Sequence, residues 1–171
     1  RVTTVAFDKT GTLTRGQPEL TDVVALQPAL IGAPGRDITR DDVLRWAAIA
    51  EAGSSHPLAR PIVAAAEARF GSIPTATGSE AVVGHGVTAT RGGHRIAVGT
   101  PELMARQGID LPAGASTTLA RLQSEGKTAI LVGVDKAVLG LVAVRDVPRP
   151  EVTRLADRLK RGKVRHVLTN P

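Results

Sequence analysis

Cysteine is absent from the 171 residues of this chain, which excludes disulfide bonds and any metal site built on thiolates. Aromatic residues make up only 2% of the sequence, so the hydrophobic core has to be assembled from alanine, valine, leucine and isoleucine. No uncharged apolar stretch reaches the roughly 18 residues that span a bilayer. Hydrophobic residues nevertheless make up 42% of the chain, enough for the core of one domain or two small ones.

Long runs of like charge are also missing, and basic residues are not interleaved with aromatic ones. The formal charge of +6, from 22 lysines and arginines against 16 acidic residues, therefore favours a solvated basic surface and argues against a nucleic-acid partner. The alternative that remains is attraction of a small anion such as a nucleotide. The chain opens on Arg1 with nothing that resembles a signal peptide, and we expect it to be a piece of a longer protein.

The hydrophobic periodicity predicts an α/β chain with a different architecture in its middle. Strands are expected at 1–7, 19–26, 80–83, 87–91, 94–98, 128–134, 136–144 and 164–168, and helices at 40–52, 57–70, 101–107, 116–124 and 149–161. Segments 1–18 and 145–171 then form one α/β domain, and 19–144 forms an inserted α+β domain, an antiparallel sheet flanked by helices. The hinges are expected near Gly16–Pro18 and Arg145–Pro148.

A lone carboxylate, Asp8, ends the first predicted strand and opens a turn rich in glycine and threonine. Ligands of open α/β sheets gather at such strand ends. A carboxylate there can act as a nucleophile on phosphorus, while the amides and hydroxyls of Thr10, Gly11 and Thr12 bind phosphoryl oxygens. Phosphoryl transfer depends on positioning and charge neutralisation, so Mg²⁺ is required. The alternative is that Asp8 merely caps a turn.

The string DKTGTLT, from Asp8 to Thr14, resembles the signature of P-type ion-pumping ATPases. The resemblance implies a haloacid-dehalogenase-like, Rossmann-type phosphorylation domain in which ATP phosphorylates Asp8, with Lys9 and Thr10 at the catalytic site. It also implies Mg²⁺ on Asp8 and Thr10. Related phosphatases carry a second aspartate, a general acid, two positions after the nucleophile. Thr10 stands at that position here, which implies a phosphoenzyme that hydrolyses slowly.

Two further elements resemble the nucleotide domain of the heavy-metal-transporting subclass in their order and spacing. They are Glu51 with His56-Pro57, and the Gly-x-Gly turn at 84–86. The resemblance implies adenine-side contacts for Glu51 and His56 and a pocket wall from Gly84 and Gly86. Judged by residue type alone, a histidine before a helix is more often a cap or a packed residue than a ligand contact, and a Gly-x-Gly turn can occur in any hairpin.

The composition is also compatible with a pocket lined by glycine. Other ion pumps stack adenine on an aromatic ring, whereas this chain offers only Phe7, Trp46 and Phe70, all at positions expected to be buried.

The same resemblance implies roles for three more residues, Gly99, Thr100 and Thr169. The family commonly has Gly-Asn at Gly99-Thr100, with the Asn holding ATP. The hydroxyl of Thr100 replaces part of the hydrogen bonding of that amide, or else Thr100 simply caps the next helix. Thr169 ends the last predicted strand, where the family threonine precedes Gly-Asp and binds the phosphoryl group. Asn170 and Pro171 follow here instead.

Two other stretches leave a choice between readings. Residues 124–128, SEGKT, suggest a P-loop, but Arg121 stands where that motif needs glycine, so we interpret Gly126 as a helix stop and Lys127 as the start of a strand. Asp146 resembles the family hinge and bears on hinge geometry or the phosphate site, unless it is an acid at a helix start.

The resemblance covers nearly the whole chain but only part of a pump, because membrane helices, the actuator domain and later phosphorylation motifs are missing. It implies ATP binding by the inserted domain, weak or absent self-phosphorylation, and no transport by this piece. The parent would be an integral membrane protein that couples ATP hydrolysis to export of a heavy or transition metal, with this soluble portion on the cytosolic face. Its partners would be ATP and the other transporter domains.

Two other functions stay open. A soluble phosphohydrolase with a cap domain would need a second acid at Thr10 and a complete C-terminal half, and both are lacking. A regulatory nucleotide-binding module without catalysis would bind ATP independently of Asp8.

Overall fold

The structure is a computed structural model that describes the backbone of residues 4–8, 14–26, 37–148 and 165–169, and the side chains of residues 16–26 and 37–146. Its elements, in chain order, are β1 (Thr4–Asp8), β2 (Thr14–Ala25), α1 (Arg40–Glu51), α2 (Ala59–Phe70), β3 (Thr77–Val82), β4 (Gly86–Arg91), β5 (His94–Gly99), α3 (Pro101–Arg106), α4 (Ala115–Ser124), β6 (Thr128–Val134), β7 (Ala137–Pro148) and β8 (Arg165–Thr169). The chain divides into two compact units. The terminal unit comprises Arg1–Glu19 and Asp146–Pro171, and the central unit comprises Leu20–Arg145.

The terminal unit contains a pair of parallel strands, β1 and β8. Their register runs from Thr4 opposite Arg165 to Asp8 opposite Thr169. Parallel strands require a long crossover connection, and here the whole central unit lies within it. The helix predicted at 149–161 lies outside the described residues.

The central unit is built on a six-stranded sheet with the order β2-β7-β6-β5-β4-β3. Neighbouring strands from β3 to β7 pair antiparallel. The edge strand β2 also runs antiparallel to β7, because the hydroxyl of Thr21 donates to the carbonyl of Ala143 and the N–H of Leu26 donates to the carbonyl of Leu139. The predicted fold class, an inserted α+β domain with an antiparallel sheet, is confirmed.

Helices cover both faces of this sheet. One core cluster joins α1 and α2 to one face, and a second joins α3 and α4 to the other. Strand β5 shows the alternation that a two-sided core requires: Ile96 and Val98 pack in the first cluster, and Ala97 packs in the second. The central strands are buried on both faces, which explains their nearly continuous apolar sequences.

The first helical layer begins with a capping box. The side chain of Thr39 accepts from the N–H of Asp42, and the Asp42 carboxylate accepts from the N–H of Thr39, so two backbone donors at the start of α1 are satisfied. Asp41 in α1 accepts two hydrogen bonds, of 2.6 and 2.9 Å, from Arg69 in α2. These contacts join the two helices at the end of the layer opposite to Glu51.

The aromatic side chains are less buried than predicted. Trp46 and Phe70 are both half-buried, because each lies at the margin of the first cluster with a polar neighbour. The Trp46 ring meets His94 edge-on at a centroid distance of 5.4 Å, and the guanidinium of Arg45 lies 4.6 Å from the centre of the Phe70 ring. The side chain of Phe7 lies outside the described residues.

Several element boundaries differ from the prediction. Strand β2 begins at Thr14 and runs through Gly16 and Pro18, which were expected to break it. Because β2 is an edge strand of its sheet, a proline can lack its N–H there without removing a ladder hydrogen bond. Strand β7 continues past its predicted end at 144 to Pro148, and β3 begins at Thr77 with a bulge before Glu80.

Helix α2 begins at Ala59, two residues later than predicted, since the preceding turn is closed by His56. Within the described part of the chain, no helix combines the length and apolarity needed to cross a bilayer.

Candidate functional site

Glu51, the last residue of α1, carries a buried acidic side chain. The residue is only 4% exposed, and its Oε2 atom has no hydrogen-bond partner among the described residues. Burial raises the pKa of the Glu51 carboxyl, and the nearby Ser54 hydroxyl and His56 ring offset this rise only in part. A buried acceptor without a partner costs free energy, so this carboxylate is suited to meeting a donor that is not part of the chain.

The turn between α1 and α2 is held together by short-range hydrogen bonds. The Ser54 N–H donates to the Glu51 carbonyl at 2.9 Å, and the Ser54 hydroxyl accepts from the His56 N–H at 3.2 Å. The Nδ1 atom of His56 accepts from the Leu58 N–H at 3.2 Å, and its carbonyl accepts from the Ala59 N–H. His56 therefore closes the turn before α2, but it does not cap the helix, because the N-cap position is Leu58 and no side chain caps it.

The same hydrogen bond assigns the tautomer of His56. Because Nδ1 acts as an acceptor, the proton of the neutral ring lies on Nε2. The His56 side chain is exposed, so this N–H is available to an external acceptor. The hydrogen bond from Leu58 and a contact to a ligand would use different nitrogens of the ring and are compatible.

Two of the predicted glycines, Gly86 and Gly99, pack directly against each other. They are opposite in the pairing of β4 with β5. A Cβ atom on Gly86 would lie 2.1 Å from the Val98 carbonyl oxygen, and one on Gly99 would lie 2.0 Å from the His85 carbonyl oxygen. Only glycine permits this approach of two backbones. Gly84 has a φ of +75° with open space where a Cβ would be, so it serves the turn between β3 and β4.

Thr100 caps the helix that follows β5. Its Oγ1 accepts from the Leu103 N–H at 3.3 Å, and its own N–H donates to the His85 carbonyl at 2.8 Å. The capping alternative is confirmed, and the role of Thr100 in holding a ligand stays a prediction. The Nδ1 atom of His85 lies 3.5 Å from Thr100 Oγ1. This half-buried imidazole is a polar group of the turn that the sequence interpretation did not use, although its place between two glycines was a signal.

The predicted residues after α1, Glu51 and His56, and those of the glycine turn at 84–86 belong to neighbouring elements. The hydroxyl of Ser79 in β3 donates to the carbonyl of Ala50, the residue before Glu51, over 3.5 Å. Strand β3 pairs with β4 so that Val82 is opposite Gly86, and α1 contacts both β4 and β5. The end of α1 and the glycine turn are thus joined through β3.

The catalytic residues predicted in the terminal unit are described only in part. Asp8 and Thr169 are opposite each other in the register of β1 and β8, at the carboxyl ends of both strands. Lys9 and Thr10 lie outside the described residues. Among the side chains of 16–26 and 37–146, no three His, Asp or Glu residues are grouped so that they could hold a metal ion. The predicted Mg²⁺ ligands Asp8 and Thr10 are not among those side chains.

Lys127 forms ion pairs within the central unit, as a lysine with a structural role does. Its ammonium lies 2.8 Å from Asp22 in β2 and 2.5 Å from Glu125. The Asp22 hydrogen bond is the main cause that raises the pKa of Lys127, and Lys127 in turn lowers the pKa of Asp22. Gly126 has a φ of +76° just after α4, as expected of a helix stop. The SEGKT stretch is therefore a helix end, as the sequence interpretation held.

Asp146 lies within β7 and is half-buried.

Replacing Glu51 by glutamine is expected to raise the free energy of unfolding near neutral pH, by on the order of 1 kcal/mol, because a neutral amide pays less for burial. A carboxyl whose pKa is raised on folding contributes its full stability below the pKa of the unfolded chain, and this contribution is lost as the pH rises through the folded pKa. The gain from Glu51→Gln should therefore grow with pH. Urea unfolding between about pH 4 and about pH 8 measures it. A gain that shrinks as the pH rises contradicts the assignment.

A family model described as haloacid dehalogenase-like hydrolase matches residues 2–171, and the chain belongs to this family. Within it, the similarity to heavy-metal-transporting P-type ATPases that the motifs indicated is confirmed by individual relatives. The chain is 40% identical over 159 residues to probable copper-exporting P-type ATPase V of Mycobacterium tuberculosis, which covers 93% of this chain and 20% of that protein. It is 33% identical over 168 residues to the zinc-exporting P-type ATPase of Mycobacterium marinum, covering 98% of this chain and 22% of that protein.

A solved structure gives the same result. The crystal structure of a zinc-transporting PIB-type ATPase in the E2.Pi state matches with a TM-score of 0.74 and 36% identity, over 98% of this chain and 25% of that chain. The chain spans about a fifth of the length of the curated relatives it matches.

Proposed function

We propose that this chain is the ATP-binding cytosolic portion of a membrane transporter that uses ATP hydrolysis to export a heavy or transition metal cation. The names of the relatives, which include copper and zinc exporters, support this class of cargo. Segment 19–144 would be the nucleotide-binding domain, and segments 1–18 and 145–171 would be parts of the phosphorylation domain. The remaining transporter domains and ATP would be its partners.

The observation that carries the proposal is the buried carboxylate of Glu51, whose Oε2 atom lacks a partner in the described part of the chain. The exocyclic amino group of adenine is a donor that would satisfy this acceptor. The Nε2–H of His56 supplies a donor on the same turn, suited to an acceptor nitrogen of the base. A guanine base presents a carbonyl oxygen in place of that amino group, so a carboxylate at this position disfavours it. The residues present therefore fit an adenine nucleotide.

The glycines would serve the same site through their backbones. With no side chain on Gly84 or Gly86, the turn before β4 can lie flat against a ribose or a phosphate chain. Gly99 and Thr100 follow at the end of the paired strand β5. The close packing of Gly86 on Gly99 would keep this wall rigid, which reduces the entropy that ligand binding costs.

In the terminal unit, a carboxylate oxygen of Asp8 would attack the γ-phosphorus of ATP, forming the aspartyl-phosphate as ADP leaves. Thr169 is opposite Asp8 in the register of the parallel pair, and its backbone or hydroxyl would bind the transferred group together with Lys9 and Thr10. Mg²⁺, held by Asp8 and Thr10, would neutralise the phosphate charge when bound.

The two alternatives are distinguished by chemistry. A phosphohydrolase needs a general acid, and Thr10 cannot serve as one at neutral pH. A purely regulatory nucleotide-binding module would bind ATP but would not depend on the Asp8 carboxylate.

Titration of the 171-residue chain with ATP, followed through backbone amide signals, tests the nucleotide site. We expect saturable shifts at His56 and at Gly84–Gly86, and much weaker shifts with GTP. The turn at Gly92-Gly93 joins β4 to β5 at the far end of the sheet and provides an internal control that should not respond. Unchanged signals at both predicted segments would contradict the proposal.

A further inference from the structure

The turn that joins β3 to β4 presents a large apolar side chain to solvent. The His85 N–H donates to the Val82 carbonyl at 2.9 Å, and Gly84 has a φ of +75°, the sign that a type II β-turn needs at its third position. Val83 occupies the second position of this turn and is 93% exposed. A single exposed valine is ordinary on a protein surface, so its meaning depends on which face of the sheet it occupies.

The pairing of β3 with β4 assigns that face. Residues opposite each other in an antiparallel pair project their side chains to the same side of the sheet. Ala81 is opposite Val87, which packs in the first core cluster with α1 and α2. The next residue, Val82, packs instead against the second cluster with α3 and α4. Because successive side chains of a strand alternate between faces, Val83 continues on the face that α1 and α2 cover.

The same face carries the residues proposed to recognise adenine. Glu51 ends α1, His56 lies in the turn after it, and the hydroxyl of Ser79 in β3 lies 3.5 Å from the Ala50 carbonyl. Helix α1 therefore ends beside β3. The 93% exposure of Val83 means that the described helices leave this end of the face uncovered. A flat ligand that pairs with the buried Glu51 carboxylate would lie along the uncovered part of the face, towards Val83.

The aromatic rings of the described side chains lie elsewhere. Trp46 contacts His94, which begins β5 at the end of the sheet opposite to the glycine turn. Phe70 is the last residue of α2 and lies against the guanidinium of Arg45, towards the end of the helical layer opposite to Glu51. A purine bound at Glu51 would therefore need an aliphatic group to cover its apolar face.

We propose that Val83 contacts the base of the bound adenine nucleotide, with its methyl groups packed against one face of the purine ring. The inference rests on the proposed function, because it adds a residue to that same site. Glu51 and His56 would bind the polar edge of the base, and Val83 would remove part of its apolar face from water.

The first test measures dissociation constants for ATP and for adenosine in variants of the 171-residue chain. Val83→Thr keeps the shape of the side chain but replaces a methyl group with a hydroxyl, and Val83→Ala removes both methyl groups. Each should weaken binding by about threefold to tenfold. Val83→Phe supplies a ring for stacking and should tighten binding at least about twofold. The factors should be the same for ATP and adenosine, because the contact is to the base.

Leu111→Ala is the matched control for loss of an exposed apolar side chain. Among the described residues, Leu111 is the other large hydrophobic residue that is exposed, and it lies between α3 and α4, the helices of the opposite face. Its ATP dissociation constant should equal that of the wild-type chain. The urea midpoints of the Val83 variants should also stay at the wild-type value, because an exposed side chain has little packing to lose. A change in affinity without a change in stability separates a ligand contact from a structural role.

Nuclear magnetic resonance of the wild-type chain tests the contact directly. When ATP or adenosine is added, the methyl signals of Val83 should move upfield, since they would lie over the face of an aromatic ring. Nuclear Overhauser effects should connect these methyl groups to the H2 or H8 proton of adenine. The methyl signals of Leu111 should stay in place.

The outcomes separate this inference from the proposed function. Saturable ATP binding with unmoved Val83 methyl signals, and with unchanged dissociation constants in Val83→Thr and Val83→Phe, would overturn the inference and leave the proposed function intact. Weaker binding of Val83→Thr to ATP but not to adenosine would place the side chain near the phosphates, and this also contradicts the inference. If the wild-type chain binds neither ATP nor adenosine, the proposed function fails, and the role of Val83 fails with it.

Discussion

Replacing Asp8 by asparagine in the full-length transporter is expected to lower metal-dependent ATP hydrolysis at least about a thousandfold, since an amide cannot serve as the nucleophile. The ATP dissociation constant should stay within about twofold, because the residues proposed to hold the base lie in the central unit. This combination, lost turnover with retained binding, follows from a division of labour between two parts of the chain. Turnover and equilibrium ATP binding of the same preparation measure it.

Asp22→Asn is the matched control for loss of a carboxylate. Asp22 forms an ion pair with Lys127 inside the central unit, so its removal should affect stability and leave the chemistry in place. Turnover that survives Asp8→Asn would favour the regulatory nucleotide-binding module. Rapid phosphatase activity of the unmodified chain would favour the phosphohydrolase.

Replacing Gly99 by alanine is expected to destabilise the central unit by about 3 kcal/mol or more. The added Cβ would lie 2.0 Å from the His85 carbonyl oxygen and 3.0 Å from the Gly86 Cα, and backbone atoms cannot move aside without separating β4 from β5. The cost is steric and not conformational, since Gly99 does not need a positive φ. Chemical denaturation measures the change, and the ATP site should be lost with the strand pairing.

Gly53→Ala is the control for this variant. Gly53 lies in the turn after α1, with nothing within 4 Å of an added Cβ and without a positive φ. Alanine there should change the free energy of unfolding by no more than about 1 kcal/mol. Equal stability of the Gly99 and Gly53 variants would show that the two strands can separate at little cost, contrary to the packing described above.

Much of the central unit could be predicted from the sequence, because its strands are short apolar runs separated by glycine. The β-rich segment at 128–134 coincides with β6, and the predicted helix at 116–124 differs from α4 by one residue. Strand β3 was predicted to begin three residues too late, since it is exposed along most of its length and has no apolar alternation. The prediction ended a strand at Pro18, because proline interrupts central strands. Strand β2 lies at the edge of its sheet, where proline is tolerated.

For the candidate site, the sequence predicted which residues belong to it, through their motifs, but not their geometry. Glu51 and His56 were identified by resemblance, but the burial of Glu51, its Oε2 atom without a partner among the described residues and the tautomer of His56 depend on three-dimensional packing. The contact of Gly86 with Gly99 joins residues distant in sequence, so spacing could not reveal why both are glycine.

The most direct measurement supplies the full-length transporter with ATP labelled at its γ-phosphate, together with its metal, and locates the label by peptide mapping after an acid quench. The account predicts a hydroxylamine-sensitive label in the peptide that contains Asp8, and none in the Asp8→Asn variant. A protein that turns over ATP while this peptide stays unlabelled would contradict it.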